Sequence, residues 1–145
     1  MRRAAILGAI LAAAGCSRAE RTADDEALER YALACDLFEK KRYREAIPHY
    51  EHVLSVRDRI KDAYVRLAAC HEALGSDGEA VAVLERARRV DRYDEAMLRG
   101  LGRLHARRGA AAEAVRAYRD LLEVRPGDEA VRAEIARLEG LQGPK

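Results

Sequence analysis

Residues 109–129 read GAAAEAVRAYRDLLEVRPGDE. Gly109 marks a turn, Ala114, Tyr118, Leu121 and Leu122 fall at the three- and four-residue spacing of an amphipathic helix, and Pro126-Gly127 stops it. The unit recurs upstream. Ala114 stands 34 residues after Ala80, and Ala80 stands 34 after Ala46, with Tyr118, Leu84 and Tyr50 each four residues further on. A fixed period of this length is the signature of stacked helix-turn-helix units, so the chain is predicted to be all-α and solenoid.

Working outward, the period divides the chain into repeats at residues 27–60, 61–94 and 95–128. A further amphipathic stretch at 128–140 carries Val131, Ile135 and Leu138 on one stripe. The first helix of each repeat contributes Leu33, Ala34 and Leu37, then Tyr64, Leu67 and Ala68, then Leu98, Leu101 and Gly102. Small residues recur at matched places: Ala34, Ala68 and Gly102 in the first helices, Ala46, Ala80 and Ala114 in the second. Helix axes lie about 8–10 Å apart depending on the side chains at the contact, so these positions are predicted to be where paired helices approach most closely. Tyr50, Leu84 and Tyr118 are predicted to fill the gap to the neighbouring repeat. Because each repeat of such an array touches only its neighbours, residues 128–140 are predicted to cap the open end.

The residues that keep the period resemble the tetratricopeptide repeat. That resemblance implies a right-handed superhelix of three repeats plus the cap, spanning residues 26–140, with a concave face lined by five positions per repeat. In this chain those positions are Leu28, Tyr31, Cys35, Phe38 and Glu39; Asp62, Val65, Ala69, Glu72 and Ala73; and Ala96, Arg99, Arg103, Ala106 and Arg107. The groove is expected to run from apolar and aromatic to basic. Tyr31 and Phe38 would anchor an apolar side chain, and Arg99, Arg103 and Arg107, four apart on one helix, would meet carboxylates. Three departures are local: Lys41 stands where the family has a turn glycine, and Asp58 and Arg92 where it has prolines. The family's chaperone-binding members grip a terminal carboxylate with asparagines, and this chain of 145 residues contains none.

Residues 1–16, MRRAAILGAILAAAGC, have a basic start and an apolar run from Ala4 to Ala14, the build of a secretory signal peptide too short for a permanent membrane span. Its end, Ala13-Ala14-Gly15-Cys16, resembles a bacterial lipoprotein box, which implies lipidation at Cys16 and, with Ser17 following, an outer-membrane anchor facing the periplasm. Residues 17–25, SRAERTADD, are polar and without apolar period, and read as a tether. The 27 basic and 25 acidic residues leave a formal +2, which falls to zero once Arg2 and Arg3 are set aside with the signal segment. Nucleic-acid binding, which rests on a concentrated basic surface, is not expected.

His71 and His105 hold equivalent positions in successive repeats, where that family has tyrosine, and His49 and His52 stand three apart on one helix. No carboxylate or cysteine falls at a third-ligand spacing for the first pair, so no metal or other cofactor is expected. Cys35 and Cys70 occupy repeat positions that differ by one. Two small thiols in the interior are the simpler reading, with a disulfide as the alternative in an oxidising compartment. No CxxC, phosphate loop, GxSxG or HExxH is present, and no catalytic residue is assigned. The expected function is a membrane-tethered module that binds a peptide or helix of an envelope protein, within an assembly complex by analogy. The alternative is a structural or self-associating envelope subunit.

Overall fold

The computed structural model describes residues 22–141, so the signal segment and Cys16 lie outside the described residues. Seven helices follow one another among them: α1 (Ala23–Glu39), α2 (Tyr43–Val56), α3 (Lys61–Ala73), α4 (Asp77–Ala87), α5 (Glu95–Arg107), α6 (Ala111–Val124) and α7 (Glu129–Leu141). None is long and apolar enough to cross a membrane. Each helix packs chiefly on the helices before and after it, giving an all-α superhelical stack of three pairs and a cap.

The turns inside the pairs share one geometry, 34 residues apart. Lys41, Gly75 and Gly109 adopt positive φ of 58°, 77° and 76°. The N–H of the following residue reaches back five positions to a helix carbonyl: Arg42 to Leu37 (2.8 Å), Ser76 to His71 (2.9 Å) and Ala110 to His105 (2.9 Å). This is the Schellman helix stop, which favours glycine because a Cβ is strained in the left-handed region. Lys41 makes the same turn with a side chain present.

The small residues named above are all buried, and so are Tyr50, Leu84 and Tyr118. Leu84 of α4 packs on α5, the next repeat, where a Cβ added to Gly100 would come within 2.9 Å of its Cδ1. Tyr118 covers Gly102 of its own repeat, where any Cβ would overlap the phenol ring, and also packs with the cap residues Val131, Ile135 and Leu138. Tyr50 meets Tyr31 of its own repeat edge-on at 6.1 Å between ring centroids. A side chain four residues beyond a close helix contact leans back toward the helix N-terminus, which brings both tyrosines over the partner helix.

Other differences are instructive. Leu33 is 44% exposed, because the apolar stripe of α1 centres on Ala27, Ala34 and Leu37. α1 begins at Ala23, inside the stretch read as a tether: Thr22 accepts from the Asp25 N–H while Asp25 accepts from the Thr22 N–H, a capping box that starts the helix early. α2 carries Pro48 in its interior. At the far end, Asp128 accepts from the Val131 N–H (3.1 Å), and Val131, Ile135 and Leu138 close over Leu98, Tyr118 and Leu121.

Candidate functional site

The positions assigned to the concave face lie on α1, α3 and α5, and cross-repeat contacts show that these first helices stand side by side. At the aromatic end the Tyr31 hydroxyl donates to Asp62 Oδ2 (2.5 Å). Burial, then the Asp62 bond, pushes the Tyr31 pKa upward, so it stays a donor. Burial would push Asp62 up as well, but bonds from Tyr31 and Arg66 outweigh it and hold the carboxyl below its ordinary value. Arg66 ties this end together. Its guanidinium lies 5.3 Å from the Phe38 ring centroid and pairs with Asp62 (2.7 Å) and Glu39 (3.2 Å). Phe38 also meets Tyr43 edge-on at 5.5 Å. Tyr31 and Phe38 are half-buried, while Leu28, a turn earlier on α1, is 49% exposed.

The arginine row lies on α5, and each of its guanidiniums already holds a carboxylate of the chain. Arg99 pairs with Asp128 (2.7 Å) and Glu95 (3.2 Å). Arg103 pairs with Glu72 (2.6 Å), and Arg107 with Glu72 (2.9 Å) and Asp77. Four carboxylates thus surround three guanidiniums, and the groove does not end in net positive charge. Glu72, Asp77 and Asp128 are the more buried members, about one-fifth exposed or less, while the arginines stand 40–55% exposed above them. The carboxylates hold the guanidiniums upright and leave further N–H donors free, as on Arg103, which spends only Nη2. Sequence reasoning placed Glu72 on the concave face without its role as the partner of Arg103 and Arg107, and missed Arg66, Asp77 and Asp128 as members of the site. Their signal is an acid and a base roughly one repeat apart, 31 residues from Glu72 to Arg103 and 29 from Arg99 to Asp128.

The remaining candidates lie apart from this face or beneath it. His71 and His105 are each partly buried, on α3 and α5; His105 Nδ1 is buried without a hydrogen-bond partner, as is His49 Nδ1. His52 Nε2 lies 3.7 Å from Glu26 Oε1. Among the described residues no three or more histidines, cysteines and carboxylates group closely enough to hold a metal ion. Cys35 and Cys70 are free thiols. Cys35 Sγ accepts from the Tyr50 hydroxyl at 3.6 Å, and burial pushes the Cys70 thiol up to about 11, which leaves it protonated and unreactive at neutral pH.

The tetratricopeptide repeat family profile matches residues 31–95 and 78–130. No curated protein sequence matches the chain. Among solved structures, the first TPR of Spaghetti (RPAP3) bound to the HSP90 peptide SRMEEVD superposes with a TM-score of 0.72 at 18% identity, over 82% of this chain and 94% of that one. The Yersinia enterocolitica type III secretion chaperone SycD, in complex with a peptide of the translocator YopD, gives 0.72 at 15% identity over 79% and 93%. The TPR2B domain of yeast Sti1 in its pHsp70 complex gives 0.67 at 18% identity over 80% and 98%. At such identities the likeness is one of fold.

Proposed function

Because the chain belongs to the tetratricopeptide repeat family, we propose that it is a non-catalytic interaction module that holds a peptide or helix of a cell-envelope protein in the groove of α1, α3 and α5. The observation that carries this reading is the arrangement of that face. Exposed Leu28 stands beside Tyr31 and Phe38 at one end, and upright, partly hydrated guanidiniums stand at the other. Apolar and aromatic side chains supply the area an anchor needs. The arginines, already balanced by their own acids, give direction and register more than long-range attraction. Proteins of the same fold have been captured with peptides, an HSP90 peptide and a YopD peptide among them, which supports a peptide ligand here.

Tethering belongs to the same proposal. The basic and apolar residues 1–14, followed by Gly15-Cys16, support a cleaved signal and a lipid on Cys16, with the domain facing the periplasm from the outer membrane. Two or more acyl chains would hold it there stably.

The test is in-cell crosslinking followed by mass spectrometry of whatever is captured, comparing the native chain with Arg99→Glu, Arg103→Glu and with Leu28→Asp. Leu28 is exposed, so its substitution leaves the core intact. One envelope protein captured by the native chain and lost from both variants is the expected result. Capture of the same proteins by all three, or of only the chain itself, overturns the groove and favours a self-associating subunit.

A further inference from the structure

A second cleft lies away from that face, where the α2–α3 turn meets the end of α4. It encloses about 440 Å³ and is lined by Leu54, Asp58, Arg59, Tyr64, Arg86, Arg89 and Val90. Most described arginines rest on a carboxylate, as Arg88 does on Asp120 at 3.0 Å. Arg59, Arg86 and Arg89 form no ion pair among the described residues, and all three are exposed. Asp58 is the only acid lining the cleft, so three guanidiniums face one carboxylate, two positive charges in excess. The floor beneath them is apolar. Leu54 and Tyr64 are buried, and Arg86 lies 5.7 Å from the Tyr64 ring centroid. Like charges over a low-dielectric floor focus their field outward, which is the condition for drawing in an anion.

The repeat supplies an internal comparison. One period on, Arg86 and Arg89 correspond to Asp120 and Glu123, and Leu54 corresponds to Arg88. The cleft at that second junction has four arginines and four carboxylates in its lining, and Arg88 and Asp120 pair across it. The second junction thus takes three of its four carboxylates from helix α6, whereas no acid of α4 lines the first, which is left with excess positive charge.

We propose that the first-junction cleft is a binding site for an acidic segment of a partner protein. That segment would present two carboxylates three residues apart, the spacing of Arg86 and Arg89 at the end of α4. Guanidinium forks match such carboxylates in pairs, and the apolar floor accommodates a neighbouring aliphatic side chain. The site shares no residue with the groove of α1, α3 and α5.

The experiment titrates the full-length chain in detergent with a synthetic peptide containing Asp-Leu-Leu-Glu-Val, following arginine side-chain N–H signals by NMR. The same titration is run with the Asn/Gln version of the peptide and with inorganic phosphate. Saturable shifts of Arg59, Arg86 and Arg89, with Arg99 and Arg103 unmoved, are expected. Affinity should fall by roughly tenfold or more for the amide peptide and for Arg86→Asp, Arg89→Glu, the scale of losing one charge-assisted pair. The neutral Arg86→Gln, Arg89→Gln chain should lose binding while keeping native helicity. Equal binding of both peptides, shifts spread evenly over all arginines, or binding retained in the Gln variant overturns the proposal. Tighter binding of phosphate than of the acidic peptide overturns it in favour of a phosphoryl ligand.

Discussion

Gly102 lacks a side chain because the Tyr118 ring lies where a Cβ would go, and Gly100 sits under the tip of Leu84. These two glycines occupy one helix, so both would gain about 1 kcal/mol of helix propensity on becoming alanine. They should nonetheless separate. A leucine tip can rotate away, whereas the aromatic ring is fixed by its surroundings, and overpacking costs roughly 1–3 kcal/mol. Gly102→Ala is expected to destabilise by ~1–2 kcal/mol in urea unfolding and Gly100→Ala to be near neutral. His105 gives a second residue-scale prediction. Burial holds its pKa below the ordinary histidine value, partly offset by Glu85 and Glu113. The unfolded chain therefore takes up the proton first as pH falls. The contribution of His105 is complete above the ordinary histidine pKa and is lost as pH drops through it toward the folded value. Urea midpoints measured from about pH 7.5 down to about pH 5.5 should decline, and His105→Gln should remove that part of the decline.

At the scale of the element, the triplet of Schellman turns makes Lys41 the odd member. A left-handed conformation costs an L-residue about 1–2 kcal/mol, and glycine returns part of that through its larger unfolded entropy, so Lys41→Gly should stabilise by about 0.5–1 kcal/mol in thermal unfolding. This departure was legible from sequence alone, since the period puts a glycine at 75 and 109 and a lysine at 41. Helix existence and pairing were legible for the same reason: a 34-residue recurrence of small and large residues encodes the packing directly. The start of α1 was not, although Thr22 and Asp25 spell a capping box, because the apolar period that draws the eye begins only later. Leu33 misled in the opposite sense, as an aliphatic residue adjacent to the stripe but facing water.

At the scale of the whole molecule the arginine row ties units together rather than forming an uncompensated basic end to the groove. Spacing by four places Arg99, Arg103 and Arg107 on one helix face, but apart from Glu95 on the same helix their partners come from α3, from the start of α4 and from the turn before α7. Only the assembled stack brings these together. The same nearest-neighbour construction makes the far end vulnerable. A chain ending at Gly127 would lose burial of Val131, Ile135 and Leu138, roughly 4 kcal/mol or more of apolar stabilisation, and the Asp128 partner of Arg99. That is a large share of the total for a domain of this size, so circular dichroism should show a lower melting temperature. The contact between Leu84 and Gly100 has a further consequence. The position of Gly100 is held by Arg66 one repeat earlier, where it spans Phe38, Asp62 and Glu39. A second copy of residues 61–94 spliced in after the first would set a guanidinium where Leu84 requires a notch. The three units share a period but are not interchangeable tiles, and lengthening this array by duplication would demand a new key at every seam.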